Sequence, residues 1–424
     1  MTRPAGADTE ARPPTPALRF LAAGGRVARR RPVVVAGGLL ARAGLIRAFS
    51  LWPDATAPVV GMSPRDGAAA RWMPDGFPRD RGAARLLGPG TWHALRARGL
   101  LVCPDGPPPP VTAAEQALGR RLRTPGLAIF SPGATIAKTT CFVVERGRRE
   151  PTVVVKAMTQ PRHRARLTGE ADLVESLRAR LAGEPGLAAT LPAAPVGVVR
   201  VGTDTFLVER FDPVMEAAGR DRRTEATAWL AAFQRRTEVR SRAWSEQDVS
   251  AALATLAETA RPVEGLESLA AAVASRLEAL RGASVPCCAV HGDFWRGNLA
   301  LRDGTLRVFD WEWGALEGDP FLDPWMYEIG PLRGLGAESG DVLEAEMRRA
   351  VGNVETALGA LDVDPAFAAP MGAVVVAEIV GRVPRATGRS SAWEATARPF
   401  LRALARILAD DRHDTPRAAA AASA

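Results

Sequence analysis

From Leu127 onward the apolar residues fall first into short blocks and then into a helical spacing. Leu127–Phe130, Thr139–Glu145 and Thr152–Met158 are short runs rich in β-branched or aromatic residues, and they predict three successive strands. Arg166–Leu181 places Leu167, Val174, Leu177 and Leu181 on one stripe, which predicts a helix. Pro195–Val201 and Thr205–Val208 flank Gly202-Thr203-Asp204 and predict an antiparallel pair. Beyond Phe211 the period changes. Thr224–Thr237, Ser245–Ala260 and Leu266–Leu280 repeat apolar residues every three or four positions, as do Val342–Leu361, Ala366–Gly381 and Ala392–Ala409. Cys287–Val290 is an apolar block that predicts a buried strand, and Asp319-Pro320 reads as a helix N-cap followed by proline at the first helical position.

Running from the buried block into that helix is His291–Glu328, HGDFWRGNLALRDGTLRVFDWEWGALEGDPFLDPWMYE. Asp303-Gly304 sits between two short runs, Leu299–Arg302 and Thr305–Phe309. An Asp-Gly pair in that setting favours a two-residue type I′ turn, because both central residues must take positive φ. The turn fixes the register: Arg302 faces Thr305, Ala300 faces Arg307, and Asn298 comes opposite Phe309. Asp310 is the next residue. Opposed strands lie about 5 Å apart, close enough for an amide oxygen and a carboxylate to share a divalent cation. Asp293 precedes Asn298 by five residues, and Asp323, one turn into the following helix, is placed to brace the loop. Four tryptophans, Trp295, Trp311, Trp313 and Trp325, crowd this stretch. They can pack beneath the hairpin or present faces to a sugar ring or a quaternary ammonium.

The order His-x-Asp-(x4)-Asn followed by a second Asp resembles the catalytic centre of the protein-kinase-like superfamily. The wording H-G-D-F-W-R-G-N, then F-D-W-E-W and G-D-P-F-L-D, is similar to the aminoglycoside phosphotransferase and choline kinase branch. The resemblance implies an α+β, two-lobed protein-kinase-like fold and transfer of the γ-phosphoryl of ATP, with Mg²⁺, to a hydroxyl of a small molecule. It implies that Asp293 accepts or orients the hydroxyl proton, that His291 braces the loop, and that Asn298 and Asp310 hold the metal. Val153-Val154-Val155-Lys156 resembles the Val-Ala-Ile-Lys strand of kinases, with Lys156 over the phosphates. Glu170 is the favoured partner of that lysine and Glu175 the alternative. The loop Ser131-Pro-Gly-Ala-Thr135 offers Ser131, Gly133 and Thr135 to phosphates through backbone N–H groups and hydroxyls. Leu207–Phe211 takes the hinge position, where Glu209 and Phe211 would hold adenine through backbone groups. A kinase-shaped scaffold without turnover is the reading from another class, and the intact set Lys156, Asp293, Asn298 and Asp310 argues against it.

Composition adds three points. The chain has 424 residues and only two lysines, Lys138 and Lys156, with arginine at every other basic position. Both lysines fall in the expected nucleotide lobe, where a compact ammonium suits phosphate contact. Up to Thr124 there are nineteen arginines and eight acids; the whole chain carries +8, so the remainder is net acidic by three charges. An anionic partner or surface is one reading of this basic region and a solvated face is the other; no basic stripe interleaved with aromatics points to nucleic acid. Four cysteines without metal-ligand spacing, no signal-peptide order and no apolar run long enough to span a bilayer point to the cytoplasm. The expected organisation is a disordered N-terminus over 1–16, a small N-terminal α/β region over 17–104 and a Pro-rich linker over 105–112. A nucleotide lobe over 113–211, a helical lobe over 212–411 and a tail over 412–424 follow. Within 17–104 the pattern predicts strands at Pro32–Ala36 and Leu100–Cys103 and helices at Leu39–Ser50 and Ala83–Arg98.

Overall fold

The computed structural model describes residues 107–410 apart from 124, 131–137, 146–147, 149, 159–162, 213–220, 261–265, 333–339 and 388–390. It also gives the backbone of four upstream strands. The chain divides into two compact units, Met1–Asp172 with Ala193–Pro213, and Leu173–Pro192 with Val214–Ala424. Among the described residues no helix is long and apolar enough to cross a membrane.

The first unit is built on one antiparallel sheet. Its upstream strands are β1 (Arg26–Ala28), β2 (Ala48–Trp52), β3 (Val60–Met62) and β4 (Gly99–Val102). Then come α1 (Pro109–Leu118), β5 (Gly126–Phe130), β6 (Lys138–Val144), β7 (Val153–Met158), β8 (Pro195–Val201) and β9 (Asp204–Arg210). The strand order is β1-β4-β2-β3-β5-β6-β7-β9-β8. The upstream strands therefore continue the sheet of β5 to β9 through the β3–β5 pairing, Val60 opposite Phe130, and among the described residues form no separate sheet. Ala48–Trp52 is a strand where the end of a helix was expected; the strand expected at 32–36 and the helix at 83–98 lie outside the described residues.

The proline run is shorter as a linker than expected, because Pro109 and Pro110 open α1. Proline is tolerated there because the first helical N–H groups have no partner within the helix. Gly119, at φ 64°, closes it in the left-handed conformation that glycine adopts without strain. Alternation then divides the sheet into two faces. Cys141, Val143, Val153, Val155, Ala157, Phe206 and Val208 pack with Val111, Ala113 and Ala114 of α1. Met158 and Leu207, on the other face, pack against Leu167 and Ala171 of α2 (Arg164–Arg180). A fully buried valine or leucine contributes about 1.5–3 kcal/mol. Lys156 lies on this second face, opposite Leu207, with Glu209 opposite Val154.

The second unit holds α3 (Arg223–Arg236), β10 (Arg240–Ala243), α4 (Glu246–Ala260), α5 (Leu266–Ala279) and β11 (Ser284–Val290). The hairpin β12 (Leu299–Arg302) and β13 (Thr305–Val308), then β14 (Ala315–Gly318), follow. Helices α6 (Leu322–Leu332), α7 (Gly340–Gly359), α8 (Ala368–Thr387) and α9 (Ser391–Asp410) complete it. One core gathers apolar residues of α4 to α9, among them Leu256, Val273, Trp325, Met347, Val375 and Leu404. A second lies under the hairpin, where Trp229 stacks on Phe233 and Phe294 at centroid distances of 4.6 and 5.2 Å. β11 pairs with β10 and β14, strands not foreseen from sequence. The expected N-cap at Asp319 is absent: α6 begins at Leu322, and the Asp319 carboxylate instead accepts from Arg242 Nη2 at 2.8 Å.

Candidate active site

In the second unit the turn forms as anticipated, with Asp303 at φ 50° and Gly304 at φ 75°. Arg302 pairs with Thr305 and Ala300 with Arg307. The Phe309 N–H donates to the Asn298 carbonyl at 2.9 Å, one step beyond the ladder. Asp310 follows at φ 70°, a left-handed conformation that is uncommon for a non-glycine residue and clusters at functional sites.

The loop before the hairpin is tied to both its ends. Gly292 sits at φ 77°, and a Cβ there would collide with the Trp313 carbonyl, so the position requires glycine. The backbone N–H groups of His291 and Gly292 donate to the two oxygens of the buried Asp323 carboxylate at 2.7 and 2.8 Å. The Asp293 N–H donates to His291 Nδ1 at 3.2 Å, and His291 Nε2 donates to the Phe309 carbonyl at 2.7 Å. With Nδ1 accepting and Nε2 donating, the ring is the neutral Nε2–H tautomer. His291 thus links the backbone of Asp293 to that of Phe309, next to Asp310, while packing 4.6 Å from the Trp311 ring. Asn298 closes a short 3₁₀ turn, Arg296–Asn298, and its Nδ2 donates to the Asp293 carbonyl (2.9 Å) and carboxylate (3.1 Å). The Asn298 amide oxygen is the atom left for a cation.

In the first unit Lys156 is 7% exposed and lies 2.5 Å from Glu170 Oε1 and 3.0 Å from Glu209 Oε2. Glu170 is buried and Glu175 is exposed, so Glu170 is the lysine's partner. Glu209 adds a contact not expected from sequence: its side chain turns onto Lys156, while the expectation concerned only its backbone groups. Alternation against Lys156 across the β7–β9 register was the available signal. Phe211 meets Phe142 edge-on at 6.3 Å, and Lys138, buried, stands opposite Met158. Ser131, Gly133 and Thr135 lie outside the described residues.

The four tryptophans separate. Trp311 and Trp325 are wholly buried, Trp313 is half-buried, and Trp295 is exposed. Trp325 Nε1 donates to the Ala368 carbonyl at 3.0 Å, and Trp311 Nε1 to the Val308 carbonyl at 3.1 Å. Cys141, Cys287 and Cys288 are free and buried; burial pushes the Cys141 thiol up to about 12 and raises the other two, so none is a thiolate at neutral pH.

Residues 138–350 match the phosphotransferase enzyme family, half of the chain. No curated protein sequence matches. Among solved structures, a glucosamine kinase in complex with glucosamine, ADP and inorganic phosphate is 19% identical, with 65% of this chain and 84% of that one covered and a TM-score of 0.40. A thermostable mutant of the aminoglycoside phosphotransferase APH(4)-Ia, in ternary complex with ADP and hygromycin B, is 14% identical over 70% of this chain and 97% of that one, TM-score 0.43. The apoenzyme of the macrolide 2′-phosphotransferase MphH from Brachybacterium faecium is 17% identical over 64% and 91%, TM-score 0.40.

Proposed function

The chain belongs to the phosphotransferase enzyme family, and on that premise we propose that it moves the γ-phosphoryl group of ATP to a hydroxyl of a small molecule. The observation that carries the proposal is the hydrogen-bonded loop of the second unit. Asn298 holds the Asp293 carboxylate, and its own carbonyl is bonded to Phe309, next to Asp310. A carboxylate fixed this way is oriented before any acceptor arrives. Asp293 takes the acceptor hydroxyl proton as that oxygen attacks the γ-phosphorus in line, and the bond to the β–γ bridging oxygen breaks to leave ADP. Orientation and charge neutralisation supply most of the rate in such a transfer. His291 is a positioning residue that keeps the Asp293 and Asp310 backbones in step.

The donor set fits magnesium. A carboxylate at Asp310 and the amide oxygen of Asn298, whose nitrogen is already committed to Asp293, are hard oxygen ligands of the kind magnesium prefers. Bound there, Mg²⁺ would neutralise the triphosphate. In the first unit Lys156 is the residue proposed for the α- and β-phosphates, held by Glu170, with Lys138 on the same sheet face. Backbone groups of Glu209 and Phe211 are proposed for adenine.

The test is an ATP-consumption screen across sugars, aminoglycosides, amino alcohols and glycans, confirmed by product mass. Wild type is expected to consume ATP with one class in the presence of Mg²⁺, and Asp293→Asn to lose about 10²–10⁴-fold in kcat while still binding nucleotide. Equal turnover by wild type and variant would overturn the assignment.

A further inference from the structure

Resting on the nucleotide-binding part of that reading, we propose that the Glu209 carboxylate is an internal stand-in for the nucleotide's phosphates. It holds Lys156 in the free protein and gives the ammonium up when a nucleoside di- or triphosphate binds, so that Glu209 sets nucleotide affinity by competing for the lysine. All three groups belong to the first unit. Lys156 Nζ is 2.5 Å from Glu170 Oε1 and 3.0 Å from Glu209 Oε2, and the lysine, Glu170 and Glu209 side chains are 9%, 0% and 10% exposed. One ammonium facing two carboxylates carries a net negative charge in a site nearly shut off from water, where charges are screened least. A phosphate that takes up Lys156 must therefore displace one carboxylate or place three anions around a single cation.

The geometry singles out Glu209 as the carboxylate that leaves. Glu170 stands on α2, one turn from Leu167 and beside Ala171, which pack against the sheet. Its Oε1 makes the shorter bond to the lysine, and its Oε2 is buried with no hydrogen-bond partner among the described residues. Withdrawing the ammonium would leave that carboxylate buried and uncompensated. Glu209 is the last residue but one of β9, beside the exposed Arg210; its bond is longer, its side chain is not wholly buried, and it has the shorter way to water. A carboxylate oxygen and a phosphate oxygen offer the ammonium the same charge-assisted hydrogen bond. Glu209 thus keeps the lysine charged and oriented before the nucleotide arrives, and lowers the affinity with which it binds.

The experiment is calorimetric titration of the full chain with ADP, for wild type, Glu209→Gln and Glu170→Gln, together with a crystal structure of wild type soaked with ADP. Glu209→Gln is expected to bind ADP about tenfold tighter than wild type, and Glu170→Gln about tenfold weaker. Opposite signs from two carboxylates on one ammonium distinguish exchange from loss of packing or of net charge, either of which would move both variants the same way. In the ADP complex, which needs no variant to fold, the Glu209 carboxylate is expected to have left Lys156 while Glu170 remains on it. Equal or weaker ADP binding by Glu209→Gln, or Glu209 Oε2 still 3.0 Å from Lys156 with ADP bound, overturns the exchange and leaves the phosphotransferase reading standing. Absence of ADP binding by wild type would sink both.

Discussion

At the scale of single residues, the most consequential finding is that one ammonium is shared by two carboxylates. Lys156, Glu170 and Glu209 are all nearly buried, and the pair distances are 2.5 and 3.0 Å. Removing one partner of a buried pair ordinarily costs 3–5 kcal/mol, because the other charge is left uncompensated. Here each glutamate backs up the other. Glu170→Ala and Glu209→Ala are each expected to cost about 1–2 kcal/mol in urea unfolding, and the double variant about 3–5 kcal/mol, more than the two losses together. Additive single effects would show that neither glutamate compensates for the loss of the other. The sequence identified Lys156 and Glu170 through motif and spacing. It did not identify the role of Glu209, since that contact depends on which residues face each other across β7 and β9.

At the scale of elements, the hairpin was the most legible part of the chain and the short strands beside it the least. Asp303-Gly304 fixed the turn type, the turn fixed the register, and the register put Asn298 opposite Phe309, as found. The reason is local: positive φ at two successive positions is tolerated by few residue pairs. By contrast β10 reads Arg-Ser-Arg-Ala, with no apolar alternation, and is a strand because β11 lends it hydrogen bonds. β14, Ala-Leu-Glu-Gly, is equally short and owes its place to the same neighbour. The tryptophans show the same limit: four indoles in one stretch look alike in sequence, and only packing sorts Trp311 and Trp325 into the core and leaves Trp295 outside. If register positions the site, one residue inserted between Asp303 and Gly304 should shift the ladder and abolish turnover while leaving the helical core folded. Gly304→Ala, which keeps register but strains φ 75°, should cost about 1–2 kcal/mol and leave kcat within a few-fold. Circular dichroism and the ATP assay on both variants separate the outcomes, and an active insertion variant would remove the register argument.

At the scale of the whole molecule, each unit has its own core, and the first has an acid-sensitive anchor. Glu145, at the end of β6, accepts from both terminal nitrogens of Arg120 at 2.9 Å, from the Arg123 N–H at 3.2 Å and from Thr152 Oγ1 at 3.2 Å; Arg148 approaches to 3.6 Å. These bonds, the one from Arg120 foremost, hold its carboxyl at about 2 against an ordinary value of 4.5. A carboxyl lowered on folding stabilises the fold above its unfolded value, and the stabilisation is lost as pH falls from there toward the folded value. The bridge therefore acts in full at neutral pH, where it ties the segment after α1 to the sheet, and fades between about pH 4.5 and 2. After discounting for solvent around the half-exposed arginine, about 1–2 kcal/mol is at stake. Urea midpoints measured from pH 7 to 3 should fall more steeply for wild type than for Glu145→Gln, which starts lower at pH 7 and converges on wild type in acid. Parallel curves would mean that the guanidinium and the carboxylate interact no more in the folded chain than in the unfolded one.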